Sequence, residues 1–255
     1  MIKKFQFNGE NVLSYNDFGN ENGFPILIQH GTMASIKDIG YFEILSKFAR
    51  VICIARPGYG ESTPYILKNL LEYGNIIHKF IEELDIKKFD VLGSSAGAIY
   101  AYTIAKACPE KIRNIFVYSG TPALYDEEVR KIWPYTISEE MTVEDSQKVA
   151  FEVFFSNIPE NQKVCDYIKD SMANNYFGEG QNLRIRFKDW GFTLSEIEAK
   201  VYMQHSKGDN VLPYTMAVRT VELMKNCELE LLEAGEHFTG EGFESFIKNT
   251  VIKKM

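Results

Sequence analysis

Ser95 stands at the centre of Gly93-Ser94-Ser95-Ala96-Gly97, between the short apolar run Phe89–Leu92 and a small-residue stretch suited to a helix. G-x-S-x-G between a strand and a helix is the setting of a nucleophile elbow. Its backbone is so cramped that a Cβ on either flanking glycine would press on the neighbouring strand or helix. A serine hydroxyl is a weak nucleophile until a base takes its proton, so the pentapeptide alone says little. Its partners must come from elsewhere in the chain.

Four histidines allow the base to be sought by elimination. His78 falls within a helical stripe and reads as a surface or packing residue. His205 follows a strand by one residue and reads as a loop-positioning group. His30 ends a strand and reads as shaping the loop behind it. His237, in Gly235-Glu236-His237-Phe238, lies after the last strand, at the edge where open α/β sheets gather reactive groups. An unperturbed imidazole titrates near neutrality, which is why histidine suits the role of general base. The acid that orients such a base is expected at Asp209, between a strand and a helix, with Asp126, Glu233 and Glu236 as less well placed competitors. Two backbone N–H groups must face the developing oxyanion. They are expected from Ala96, directly after the serine, and from Thr32 in the loop after His30-Gly31. His30, Met33, Ser94 and Trp133 are expected to border the substrate.

The elements that carry these residues follow from periodicity. Lys3–Phe7 and Val12–Asp17 read as a hairpin around Asn8-Gly9-Glu10. Strands are then expected at 25–29, 51–55, 89–92, 115–118, 201–204 and 228–232, several of them continuous apolar runs typical of burial on both faces. Helical patterns lie between them, at about 39–48, 65–84, 96–107, 214–225 and 241–252. Alternation of strand and helix implies a mostly parallel sheet with helices on both faces. Residues 122–195 break the alternation and read as a helical insertion into one domain spanning 1–255.

With 28 basic against 35 acidic residues the net charge is −7, which argues against nucleic acid or an anionic membrane as partner. The first residues lack the apolar core of a signal peptide, and no run approaches the roughly 18 apolar residues of a membrane span. Cys53, Cys108, Cys165 and Cys227 are scattered without a C-x-x-C pair, as in a reduced cytoplasmic protein whose thiols pack rather than bind metal. A small-molecule substrate is the expected partner, and a homodimer stays open.

These pieces together resemble the α/β-hydrolase fold superfamily over nearly the whole chain. The family order of serine, acid and histidine fits Ser95, Asp209 and His237. Arg56-Pro57-Gly58-Tyr59-Gly60-Glu61-Ser62 is similar to the R-P-G-x-G-x-S turn of small members, and Gly208-Asp209-Asn210-Val211-Leu212-Pro213 to their acid loop. The resemblance implies an eight-stranded sheet, a cap formed by about 122–195, and two-step acyl transfer without cofactor or metal. Thr32-Met33-Ala34 departs from the pattern after the His-Gly pair and leaves the second oxyanion donor open. It also argues against the subgroup that accepts tertiary-alcohol esters. Serine rather than aspartate at the elbow argues against dehalogenase and epoxide hydrolase chemistry. The expected substrate is a small apolar ester, thioester or lactone. A prolyl-aminopeptidase-like amide hydrolase, a lyase or perhydrolase with the same three residues, and a non-catalytic ligand binder are the alternatives. The aromatics of 122–195 serve either an acyl pocket or a small core of the cap itself.

Overall fold

In the central strands, apolar residues point both ways, and the two sets enter two different cores. Leu27, Val91, Ile115 and Val117 pack on one face, while Ile26, Ile28, Leu92 and Phe116 pack on the other. This double burial is why the runs show no polar alternation. The computed structural model describes residues 1–120, 122–135 and 140–255, so 136–139 of the expected insertion lie outside the described residues.

The strands are β1 (Lys3–Phe7), β2 (Asn11–Gly19), β3 (Phe24–Gln29), β4 (Ala49–Ile54), β5 (Phe89–Ser94), β6 (Ile112–Tyr118), β7 (Lys200–Ser206) and β8 (Cys227–Leu232). They form one eight-stranded sheet in the order β1-β2-β4-β3-β5-β6-β7-β8. Only the pairings of β2 with β1 and β4 are antiparallel. From β4 to β8 every neighbouring pair is parallel, so the loops after β3, β5, β7 and β8 leave the same edge.

Helices α1 (Glu43–Ser46), α2 (Leu70–Glu83) and α3 (Ala98–Ala107) intervene in the first half of the chain. The stripe read from residue 65 becomes helical only at Leu70. The Asn69 side chain accepts the Glu72 N–H at 3.0 Å and caps the helix there. Leu67, although buried, reaches the core from the preceding loop, its N–H donating to Gln181 Oε1 at 2.8 Å. Beyond β6 lie α4 (Glu127–Lys131), α5 (Val143–Ala150) and α6 (Asp166–Ile185). Beyond β7 lie α7 (Tyr214–Glu222), α8 (Gly240–Phe246) and a last turn α9 (Ile252–Lys254). No helix among the described residues is long and apolar enough to cross a membrane.

Within α6, Ala173 is extended and Asn174, Asn175 and Tyr176 have positive φ, so the helix is broken in the middle. The break seats on the turn after β4. There Asn174 Nδ2 donates to the Gly58 carbonyl at 3.0 Å, and the Gly60 N–H donates to the Asp170 carbonyl at 2.8 Å. This docking buries Glu179 completely, and neither of its carboxyl oxygens gains a hydrogen bond among the described residues. Burial therefore pushes its pKa up to about 8, against weaker opposition from the nearby Tyr59 and Ser171 hydroxyls and the Arg56 charge.

Two expectations follow. A Cβ on Gly97 would collide with the Gln29 carbonyl oxygen of β3, and backbone cannot yield there. Gly97→Ala is expected to cost about 3 kcal/mol, which lowers Tm by roughly 6–12 °C for a chain of this size. Gly40→Ala, with nothing within 4 Å of the new Cβ, serves as the near-neutral control in the same calorimetric scan. For Glu179 the folded state holds its proton more tightly than the unfolded chain, whose carboxyl titrates near 4.5. Stability is therefore lost as pH rises from about 4.5 to about 8 and is level above that. Glu179→Gln removes the loss, so its Tm should exceed the parent's by about 2–4 °C or more at pH 8.5 and match it near pH 4.5.

Candidate active site

The parallel strands from β4 to β8 bring residues far apart in sequence to one edge. Ser95 follows β5, Asp209 lies three residues beyond β7, and His237 five residues beyond β8. Ser95 itself has φ +48°, a left-handed conformation that is strained for a side chain and costs on the order of 1–3 kcal/mol. It opens a single 3-10 turn, Ser95–Gly97, which runs on into α3. The flanking glycines permit this. A Cβ on Gly93 would lie 2.8 Å from Ala98 Cα, and Gly97 backs onto β3 as described.

Ser95 Oγ lies 2.8 Å from His237 Nε2, and His237 Nδ1 lies 2.7 Å from Asp209 Oδ2. With Nδ1–H donating to the carboxylate, Nε2 carries a lone pair toward the hydroxyl, and Oγ–H donates to it. Asp209 is wrapped in donors. Its Oδ1 accepts the N–H groups of Val211 and Leu212, each at 2.8 Å. Its Oδ2 also lies 3.2 Å from Nε2 of the fully buried His205, which donates to the Leu212 carbonyl at 2.9 Å as well. Desolvation raises the Asp209 pKa. The donors from His205, His237 and the Leu212 N–H outweigh it and hold the carboxyl well below the usual carboxylate range. The acid is thus ionised at neutral pH and fixed in orientation.

The loop after β3 closes the other side of the serine, with a Cβ built on Gly31 standing 3.7 Å from Ser95 Cβ. This loop is held from behind. The Arg56 guanidinium donates to the carbonyls of both His30 and Gly31, the second at 2.9 Å. His30 uses both ring nitrogens on backbone: Nδ1–H donates to the Gly31 carbonyl at 2.8 Å, and Nε2 accepts the Arg56 N–H at 3.3 Å. Burial first, and the Arg56 charge second, push its pKa well down, so the ring is neutral. The Arg-Pro-Gly turn, legible in the sequence only as a motif, is a brace for the loop that carries Thr32.

Above the serine is a cavity of about 1070 Å³, at the upper end of the size of small-molecule sites. Ser95 and His237 line it, as do His30, Thr32, Met33, Ser94 and Trp133; Ala96 lies directly behind Ser95 and is buried. Two competitors for the acid role are paired elsewhere. Asp126 caps α4 and pairs with Arg219 at 2.8 Å, and Glu233 pairs with Lys207 at 2.6 Å. His78 lies on α2, 3.5 Å from Glu82.

The aromatics between β6 and β7 divide between the two uses considered. Trp133, Tyr135, Phe154 and Tyr167 line the cavity. Trp190 and Phe192 enter the main core, where Trp190 meets Tyr125 edge-on at 5.0 Å, and Phe187 joins a small cluster with Leu124, Val129 and Leu183. Three residues near the site escaped the sequence reading: His205 as a ligand of the acid, Arg56 as the brace, and Arg186 in the cavity wall. For His205 the spacing to Asp209, one helical turn's worth of residues around a loop, was the available signal.

A family model described as "alpha/beta hydrolase fold" matches residues 25–136. A hydrolase of Bacillus subtilis is 24% identical over 96% of this chain and 94% of its own. A 2-hydroxy-6-oxononadienedioate/2-hydroxy-6-oxononatrienedioate hydrolase of Cupriavidus pinatubonensis is 21% identical over 74% of this chain and 70% of its own. Among solved structures, an esterase from Exiguobacterium antarcticum superposes with a TM-score of 0.77 at 19% identity, covering 100% of this chain and 99% of that one. Strand order, elbow and the matched segment agree with these structures on one architecture: the chain has the α/β-hydrolase fold.

Proposed function

We propose that the protein is a serine hydrolase acting on a carboxylic ester, thioester or lactone through Ser95, His237 and Asp209. The observation that carries this reading is the unbroken relay from Ser95 Oγ to His237 Nε2 at 2.8 Å and from His237 Nδ1 to Asp209 Oδ2 at 2.7 Å, opening into a cavity. Residues of about 122–195 serve in this reading as a cap over the site.

In the first step Ser95 Oγ attacks the carbonyl carbon while His237 Nε2 takes its proton. The carbonyl oxygen becomes an oxyanion, which the N–H groups of Ala96 and Thr32 receive, each such donor being worth on the order of 3 kcal/mol of barrier. The imidazolium so formed is stabilised by the ionised Asp209. It returns its proton to the leaving alcohol or thiol, and the C–O or C–S bond breaks to leave an acyl-enzyme. Water then attacks the acyl carbon, its proton passing to His237 and on to Ser95 Oγ as the free acid departs.

The test is direct. A fluorophosphonate should leave a single adduct on Ser95 by mass spectrometry, and p-nitrophenyl esters of rising chain length should be turned over. Folded protein that shows neither adduct nor turnover would defeat the reading. Asp209→Asn is expected to lower kcat by about 10⁴-fold, because His237 loses its orienting charge. Turnover near that of the parent would remove Asp209 from the relay.

A further inference from the structure

Arg186, one residue past the end of α6, is 3% exposed and forms part of the wall of the cavity that holds Ser95 and His237. One side of its guanidinium is engaged, Nε donating to the Asn182 carbonyl at 2.9 Å. The group lies over the Trp133 ring at 5.3 Å from its centroid. Its Nη2 has no hydrogen-bond partner among the described residues. No ion pair among the described residues includes it, and the acid whose charge it feels is Glu179. That carboxyl, raised to about 8 by burial, is mostly uncharged at neutral pH.

A cation out of water and without a partner costs several kcal/mol. Burial lowers the Arg186 pKa only to about 10, so the group stays protonated. Trp133 Nε1, in the same wall, is likewise a buried N–H without a partner among the described residues. Two donors with nothing to donate to call for acceptors and negative charge from outside the chain. A planar guanidinium with a free edge matches a carboxylate in two parallel hydrogen bonds. The cavity's other walls, with Met33, Phe154, Leu183 and Leu212, suit an aliphatic stretch.

We infer that Arg186, aided by Trp133, is an anion subsite for a free carboxylate on the substrate, so that the preferred substrates are ionised half-esters of dicarboxylic acids or esters of carboxylate-bearing alcohols. The inference rests on the hydrolase reading for the reaction but not for the binding of the anion.

Matched pairs of esters test it. The parent protein should favour mono-p-nitrophenyl glutarate over p-nitrophenyl butanoate, or 4-carboxyphenyl butanoate over phenyl butanoate, in kcat/KM. Arg186→Gln should lower the ratio of kcat/KM for the anionic ester to that for its neutral partner by about 10- to 100-fold. Arg186→Lys, which keeps the charge and loses the fork, should fall between. A merely structural role would lower both members of a pair together. If both ratios are the same in parent and variant while the neutral esters are turned over, the subsite is disproved and the hydrolase reading stands.

Two measurements cover the remaining cases. Should Arg186→Gln not fold, inhibition of the parent decides: monomethyl glutarate must compete better than dimethyl glutarate, and equal or weaker inhibition overturns the inference. Should the parent hydrolyse no ester and take no fluorophosphonate, the hydrolase reading fails. Calorimetric titration with glutarate then decides the subsite, with binding to the parent that is lost in Arg186→Gln supporting it and no binding overturning it.

Discussion

The contact between the elbow backbone and β3 is the constraint on which the rest of the site depends. Gly97 has no side chain to hold it off the Gln29 carbonyl, so the turn after β5 lies flat against the neighbouring strand. That closeness forces Ser95 into a positive φ and lifts its hydroxyl above the sheet edge. The loop after β3 then lies within van der Waals reach of the serine, and α3 starts directly behind it. Loosening this one approach would move the serine, the Ala96 N–H and the Thr32 loop together.

Two buried carboxyl groups show how the surroundings decide charge. Asp209 loses water but gains two backbone N–H groups and two imidazoles, and its ionised form wins. Glu179 loses water and gains no hydrogen bond among the described residues, and its neutral form wins. The difference suits the proposed chemistry. An ionised Asp209 stabilises a positive His237, while a neutral Glu179 leaves the charge of Arg186 available to the cavity.

The helical segments between β6 and β7 are tied to the sheet edge at the same turn that braces the site. Asn174 and Asp170 hold the turn after β4 from above, and Arg56 on that turn holds the His30-Gly31 loop from below. The segment that contributes Phe154 and Tyr167 to the cavity and the loop that carries Thr32 therefore share one support. Trp190 and Phe192 anchor the far end of the segment in the main core, while Trp133, Tyr135 and Phe154 line the cavity.

The sequence by itself determined the sheet and the three side chains of the proposed relay. Apolar runs without alternation mark strands covered on both faces, and parallel strands must present their following loops at one edge. Ser95, Asp209 and His237 could thus be placed together from local pattern alone. Their neighbours could not. That His205 donates to Asp209, that Arg56 grips two carbonyls of another strand's loop, and that Arg186 is left unpartnered beside the cavity are facts of packing. So are the late start of α2 and the division of the aromatics between core and cavity, because Leu67 and Trp190 answer to partners more than a hundred and about sixty-five residues away respectively, Gln181 and Tyr125. Periodicity and turn chemistry act over a few residues and are written in the chain. Which donor meets which acceptor across the interior is decided only when the layers close.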